Sequence, residues 1–200
     1  MKRLVKSGAV AAVVAALSAG VAAAAVVHDD GATDFNGKYN GVGQFDYSFM
    51  ATEGTNSISF DLFGANSIDG QNGYYDLFTI LLNGVEVFAG SFSMSGGGDN
   101  VVTTNINDWT WNTVTNPGGY FSGGVTTVSG LATLLNGANV FSVLFTSPTA
   151  TDGQGLNDES WALNKLDIAP VPLPAGLPLL LTGLAGVGAL RLRKRQAKAL

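Results

Sequence analysis

Residues 57–63 alternate in polarity: Ile58, Phe60 and Leu62 fall on one side of an extended chain, Ser57, Ser59 and Asp61 on the other. Successive side chains of a strand point to opposite faces, so this pattern predicts a strand with one dry face and one wet one. Residues 76–82 and 85–92 are two further apolar runs, and Asn83-Gly84 separates them. That dipeptide suits a type I′ turn, which needs positive φ at both central positions, and the pair is predicted as a hairpin. Within residues 140–146, Val140, Ser142 and Leu144 share one side while Phe141, Val143 and Phe145 share the other, as in a strand covered on both faces. Residues 159–168 form a last candidate before Pro170, whose missing N–H ends pairing.

Weaker strands are predicted at 44–49, 101–104, 108–111 and 124–129, with a single helical turn at 131–135. Gly96-Gly97-Gly98, Asn116-Pro117-Gly118-Gly119 and Asn136-Gly137 supply turns between several of them. The middle of the chain shows neither sustained helical periodicity nor a fixed-period repeat, which argues against bundles and solenoids. About eight short strands at this spacing predict an all-β fold, a two-sheet sandwich of jelly-roll type, over residues 26–170.

The two ends follow a different pattern. Residues 1–6 are short and basic, residues 9–21 apolar and uncharged, and residues 22–25 all alanine. This reads as a secretory signal peptide over residues 1–25, with signal peptidase cleaving after Ala23, Ala24 or Ala25. At the other end residues 171–190 carry no charge, which matches the roughly 20 positions that a helix needs to cross hydrocarbon. The basic residues Arg191, Arg193, Lys194 and Arg195 follow at once and are expected to stay cytoplasmic. Prolines at 172, 174 and 178 keep the start extended, so the helix is expected no earlier than Leu177.

The order Val171-Pro172-Leu173-Pro174-Ala175, apolar span and basic tail, filling residues 171–200, resembles the VPLPA variant of the PEP-CTERM sorting signal. The resemblance implies recognition and processing by an exosortase-type membrane protease and transient anchoring in the inner membrane by the C-terminal helix. It also implies delivery of the body to the cell surface or an extracellular polysaccharide matrix. A plain stop-transfer anchor is the alternative. A mature protein ending near Ala175 distinguishes the first, one intact to Leu200 the second.

Charge sharpens this division. All 15 acidic residues lie between Asp29 and Asp167, where the only basic residues are Lys38 and Lys165, leaving a net charge of −13. Such a segment repels phosphate backbones, so no nucleic-acid partner is expected. The absence of cysteine excludes disulfides, thiolate metal sites and cysteine nucleophiles. His28 is the one histidine and lies beside the expected cleavage region, which leaves a Ser-His-Asp triad little support and favours a non-catalytic body.

In the body, Ile58-Ser59-Phe60-Asp61-Leu62-Phe63, Asn66-Ser67-Ile68-Asp69-Gly70, Asp76-Leu77-Phe78-Thr79, Asn83-Gly84 and Asp158-Glu159-Ser160-Trp161 together resemble secreted jelly-roll domains akin to carbohydrate-binding modules and MAM-type adhesion domains. Leu134-Leu135-Asn136-Gly137-Ala138-Asn139-Val140 is similar to a loop-strand passage of such modules. Two candidate sites follow. Asp69 and Asp76 bracket one loop, and Asp158 and Glu159 precede the last strand. Hard cations take six to eight oxygens, so these four are candidate calcium ligands, with solvated loop carboxylates as the alternative.

Trp109 and Trp111, two apart on one predicted strand, share a face. They form either a sugar-binding platform, with Tyr74, Tyr75, Tyr120 and Trp161 as further candidates, or part of the core. The function expected is that of a secreted, surface-sorted, non-catalytic protein in adhesion or biofilm polysaccharide association. The alternative is a lectin-like carbohydrate-binding module.

Overall fold

The computed structural model describes residues 26–31, 39–40, 42–115, 121–148, 159–171 and 183–185. The expected signal peptide, Asp158, Tyr120, positions 172–175 of the sorting motif and the basic tail from Arg191 to Arg195 lie outside the described residues. Among the described residues no helix is long and apolar enough to cross a membrane.

The alternating segments form strands, and all of them pair antiparallel. The strands are β1 (Val26–His28), β2 (Tyr39–Asn40), β3 (Gly43–Ala51), β4 (Gly54–Asn66), β5 (Leu77–Leu82), β6 (Val85–Ser91), β7 (Val101–Asn105), β8 (Thr110–Thr115), β9 (Phe121–Leu134), β10 (Gly137–Thr146) and β11 (Glu159–Pro170). One sheet has the order β1-β11-β4-β9-β8, with β2 also on β11, and the other β3-β10-β5-β6-β7. We call them the β4 sheet and the β10 sheet.

The hairpin at Asn83-Gly84 forms with φ of 53° and 78°, the positive pair that a type I′ turn demands. β10 lies between β3 and β5. Phe141, Val143 and Phe145 are fully buried on its inner side, while Val140 and Leu144 are only half-covered on its outer side. The two inner faces meet through aromatic rings: Phe60 of β4 packs edge-on to Phe141 at 5.2 Å, and Trp161 of β11 meets Phe78 edge-on at 5.9 Å. Each such ring removes apolar area worth about 1.5–3 kcal/mol from water.

Two expectations need correction. Residues 131–135 make no helical turn. Residues through Leu134 continue β9, with Ala132 and Leu134 buried and Leu131 exposed. The strand expected at 108–111 begins at Thr110, because Asp108 sits at φ 51° and turns the chain into the sheet. The β4–β11 pair has Asn66 opposite Glu159 at one end and Asn56 opposite Pro170 at the other. These pairs mark the two poles of the sandwich.

β1 is short and fastened by side chains. Asp30 accepts a hydrogen bond from the Leu163 N–H at 3.0 Å and lies 3.1 Å from His28 Nε2. The His28 ring lies 4.7 Å from Phe45 and 5.7 Å from Tyr47 of the opposite sheet. His28 is thus a clasp across one flank of the sandwich.

Candidate functional site

At the Glu159 pole the loop after β4 and the loop after β6 are stitched together. Gly70 donates to the Gly97 carbonyl at 2.7 Å, and Gln71 and Asp99 exchange N–H···O bonds at 2.7 and 3.2 Å. Asp69 Oδ1 accepts from the Gly97 N–H and from Asn72 Nδ2. Gly96 has to be glycine here, since a Cβ would fall 2.2 Å from Asp69 Oδ1. Asp69 N–H donates to Asp76 Oδ2 at 2.8 Å, and Asp76 N–H returns a bond to the Asp69 carbonyl.

Asp69, Asp76 and Glu159 are all buried at this pole, and Asp76 is fully enclosed. Its Oδ1 has no hydrogen-bond partner. Burial pushes the Asp76 carboxyl up to about 8, and the neighbouring Glu159 and Asp69 charges push the same way against the Asp69 N–H and the Ser147 hydroxyl. At neutral pH this group therefore holds a proton in the absence of a cation. Of the four candidate calcium ligands, Asp69 and Glu159 come within electrostatic reach of Asp76. Among the described residues no three acidic or histidine side chains form a metal-ligand group.

The tryptophans share a face as their spacing requires, but that face is the inner one. Trp109 is 2% exposed, stacks on Phe88 and meets Phe60 edge-on. Its Nε1 donates to the Leu131 carbonyl at 3.0 Å, and Asn105 brackets its backbone with two hydrogen bonds. Gly130 leaves the room for this ring, because a Cβ there would lie 2.1 Å from Trp109 Cδ1. Trp111 pairs opposite the buried Val128 and leans on Phe92 at 5.5 Å, with 36% of its surface exposed at the free edge of β8. Of the two expected readings Trp109 takes the core one, while Trp111 stays partly open to solvent at the strand edge. Trp161 is buried as well, whereas Tyr74 is exposed.

Sequence reasoning missed the outer face of the β4 sheet. Asp61, Thr127 and Asn112 line up across β4, β9 and β8, with Asn164 of β11 opposite Asp61. Next to that polar row, Phe63 faces Ala162 on one side and Val125 on the other, with Val114 beyond. A hollow of about 300 Å³ lies over the junction of the two rows, walled by Asp29, Asp61, Asn164, Lys165, Phe63 and Val125. Towards the Pro170 pole a shallower hollow of about 420 Å³ is lined by Ser57, Ser59, Asp108, Thr110, Ser129 and Leu131. The alternation at 57–63 already assigned Asp61 to the wet face. Its ion pair with Lys165 depends on a bulge that periodicity does not reveal.

The sequence matches no protein-family model and no curated protein. Among solved structures, the chain is similar to a family 35 carbohydrate-binding module from an environmental isolate. The two share 16% identity over 78% of this chain and 93% of that one, with a TM-score of 0.36.

Proposed function

We propose that this chain is an exported, surface-sorted, non-catalytic β-sandwich protein that acts in adhesion or in association with extracellular polysaccharide. One observation carries the reading. β11 pairs with β4 through Pro170, and the next N–H, that of Val171, donates to the Thr55 carbonyl at 3.1 Å. Folded body therefore gives way to the Val171-Pro172-Leu173-Pro174-Ala175 motif with no linker between, as suits a domain released or held by cleavage there. In this reading signal peptidase removes the front, an exosortase-type protease processes the tail, and the apolar span rests in the inner membrane only in transit.

The test is the intact mass of the protein recovered from the cell surface and the medium. The expected chain begins at residue 24, 25 or 26 and ends near Ala175. A full-length chain dissolved in cytosol overturns the proposal.

Calcium belongs to the same proposal. A cation at the Glu159 pole would answer the orphaned Asp76 Oδ1 and offset the repulsion among Asp69, Asp76 and Glu159, with Asp158 as the fourth ligand. A second function, lectin-like carbohydrate binding, is favoured by the hollow over Phe63, where carboxylate, amide and ammonium groups surround an apolar floor.

A further inference from the structure

β11 is interrupted where it crosses Asp61. Its register against β4 shifts between Asn164 and Asp167, and Lys165 in the bulge stands at φ 50°. A non-glycine side chain in the left-handed region is disfavoured, and bulges of this kind re-aim a side chain. Here the bulge carries Lys165 over β4, where Nζ meets Asp61 Oδ2 at 2.9 Å. Thr127 of β9 donates to Asp61 Oδ1 at 2.7 Å. Three strands thus fix one carboxylate, and each of its oxygens keeps a lone pair for a further donor.

We infer that this bulge builds a sugar subsite on the outer face of the β4 sheet, for one hexose unit of a neutral polysaccharide. The inference rests on the lectin-like reading above and assigns its location and ligand class.

The chemistry runs from floor to rim. The apolar row of Phe63 and Val125 suits the C–H face of a pyranose ring. The adjoining row offers Asp61 as an acceptor, Asn112 as an amide and Lys165 as a donor, the mixed set that vicinal hydroxyls require. Rows run across strands spaced about 4.8 Å apart, so four strands give a band of about 14 Å, enough for consecutive rings of a chain.

Charge selects against acidic sugars. The segment from Asp29 to Asp167 carries a net −13, Asp29 stands on the rim, and Lys165 is already neutralised by Asp61. A uronate would meet repulsion where Lys165, the cation of this wall among the described residues, is already paired, whereas a neutral hydroxyl donor meets carboxylates ready to accept.

The test is affinity electrophoresis of the purified protein through gels containing a soluble neutral glucan, galactan or mannan, with a polyuronate as the fourth matrix. Asp61→Ala and Lys165→Gly are compared with wild type. Glycine keeps the bulge conformation while removing the ammonium, Lys165 is exposed and Asp61 partly so, and melting temperature verifies the fold of each variant. At least one neutral polymer is expected to retard wild type, with binding at least tenfold weaker in both variants, unchanged in Trp111→Ala, and no retardation by the polyuronate. Equal retardation of wild type and both folded variants by a neutral polymer overturns the site while the lectin-like reading stands. Preference for the polyuronate overturns the ligand class, and no retardation in any matrix overturns both the reading and the inference.

Discussion

Asp69 and Asp76 hold each other through their backbones: the N–H of Asp69 donates to the Asp76 carboxyl at 2.8 Å, and the N–H of Asp76 donates to the Asp69 carbonyl at 3.2 Å. This reciprocal clamp closes the loop between β4 and β5 and fixes an acid in a dry place, facing Glu159. The proton on Asp76 is a consequence of where the clamp puts it.

That proton makes stability depend on pH. The folded value of about 8 lies above the ordinary 3.8, so the folded state binds the proton more tightly than the unfolded chain does. The contribution is complete below the unfolded value and is lost as pH rises through the folded one. In chelator, the melting temperature is expected to fall between about pH 4 and pH 8, and Asp76→Asn to flatten that slope. Identical slopes in the two proteins would refute it.

Calcium reverses the demand, since it needs the carboxylate that the proton neutralises. At pH 8, millimolar calcium is expected to raise the melting temperature of wild type and to leave Asp76→Asn unmoved. The same melting curve with calcium and with chelator removes calcium from the proposed function.

Trp109 and Trp111 should separate sharply on truncation. Trp109→Ala opens a cavity beside Phe60 and Phe88 and is expected to destabilise by about 3–5 kcal/mol. Trp111→Ala removes a half-covered ring and should cost about 1–2 kcal/mol. Gly130→Ala attacks the Trp109 pocket from the other side, and overpacking there should cost about 1–3 kcal/mol. Urea unfolding of the three variants checks the order, and equal losses from the two tryptophans would contradict this placement.

Asn139 is a buried polar hub. Its Nδ2 donates to the carbonyls of Leu135 and Gly137, and its Oδ1 accepts from the Leu135 N–H and from Asn83 Nδ2. Asn83 Oδ1 in turn accepts from the Val140 N–H, so one amide pair ties the β5–β6 turn to the start of β10. Asn139→Leu is expected to destabilise by about 2–3 kcal/mol through orphaned backbone groups. Unfolding by urea measures it, and a neutral effect would show that water replaces the amide.

Elements with a clean period of two were legible in the sequence, and positions fixed by distant partners were not. The Ile58, Phe60 and Leu62 row and the Asn83-Gly84 hairpin follow from local pattern and turn chemistry, whereas β10, expected to be covered on both faces, stays half-open at Val140 and Leu144. Leu131, Leu134 and Leu135 satisfy helical spacing as readily as strand spacing over so short a run. Pairing with β4 decided for the strand. The three residues of β1 carry too little pattern to announce a strand; Asp30 holds it through Leu163, 133 residues away, and His28 reaches across to Phe45. The burial of Trp109 depends on the space left by Gly130, which no spacing rule encodes. At the acidic pole the residue types were legible, whereas the enclosure that protonates Asp76 comes from packing.

The Val171 bond to Thr55 also sets an orientation. The chain leaves the sheet at the Pro170 pole, and the Asp69–Asp76 clamp crowns the opposite one. The Lys165 bulge lies between the two poles, on the side wall of the sandwich.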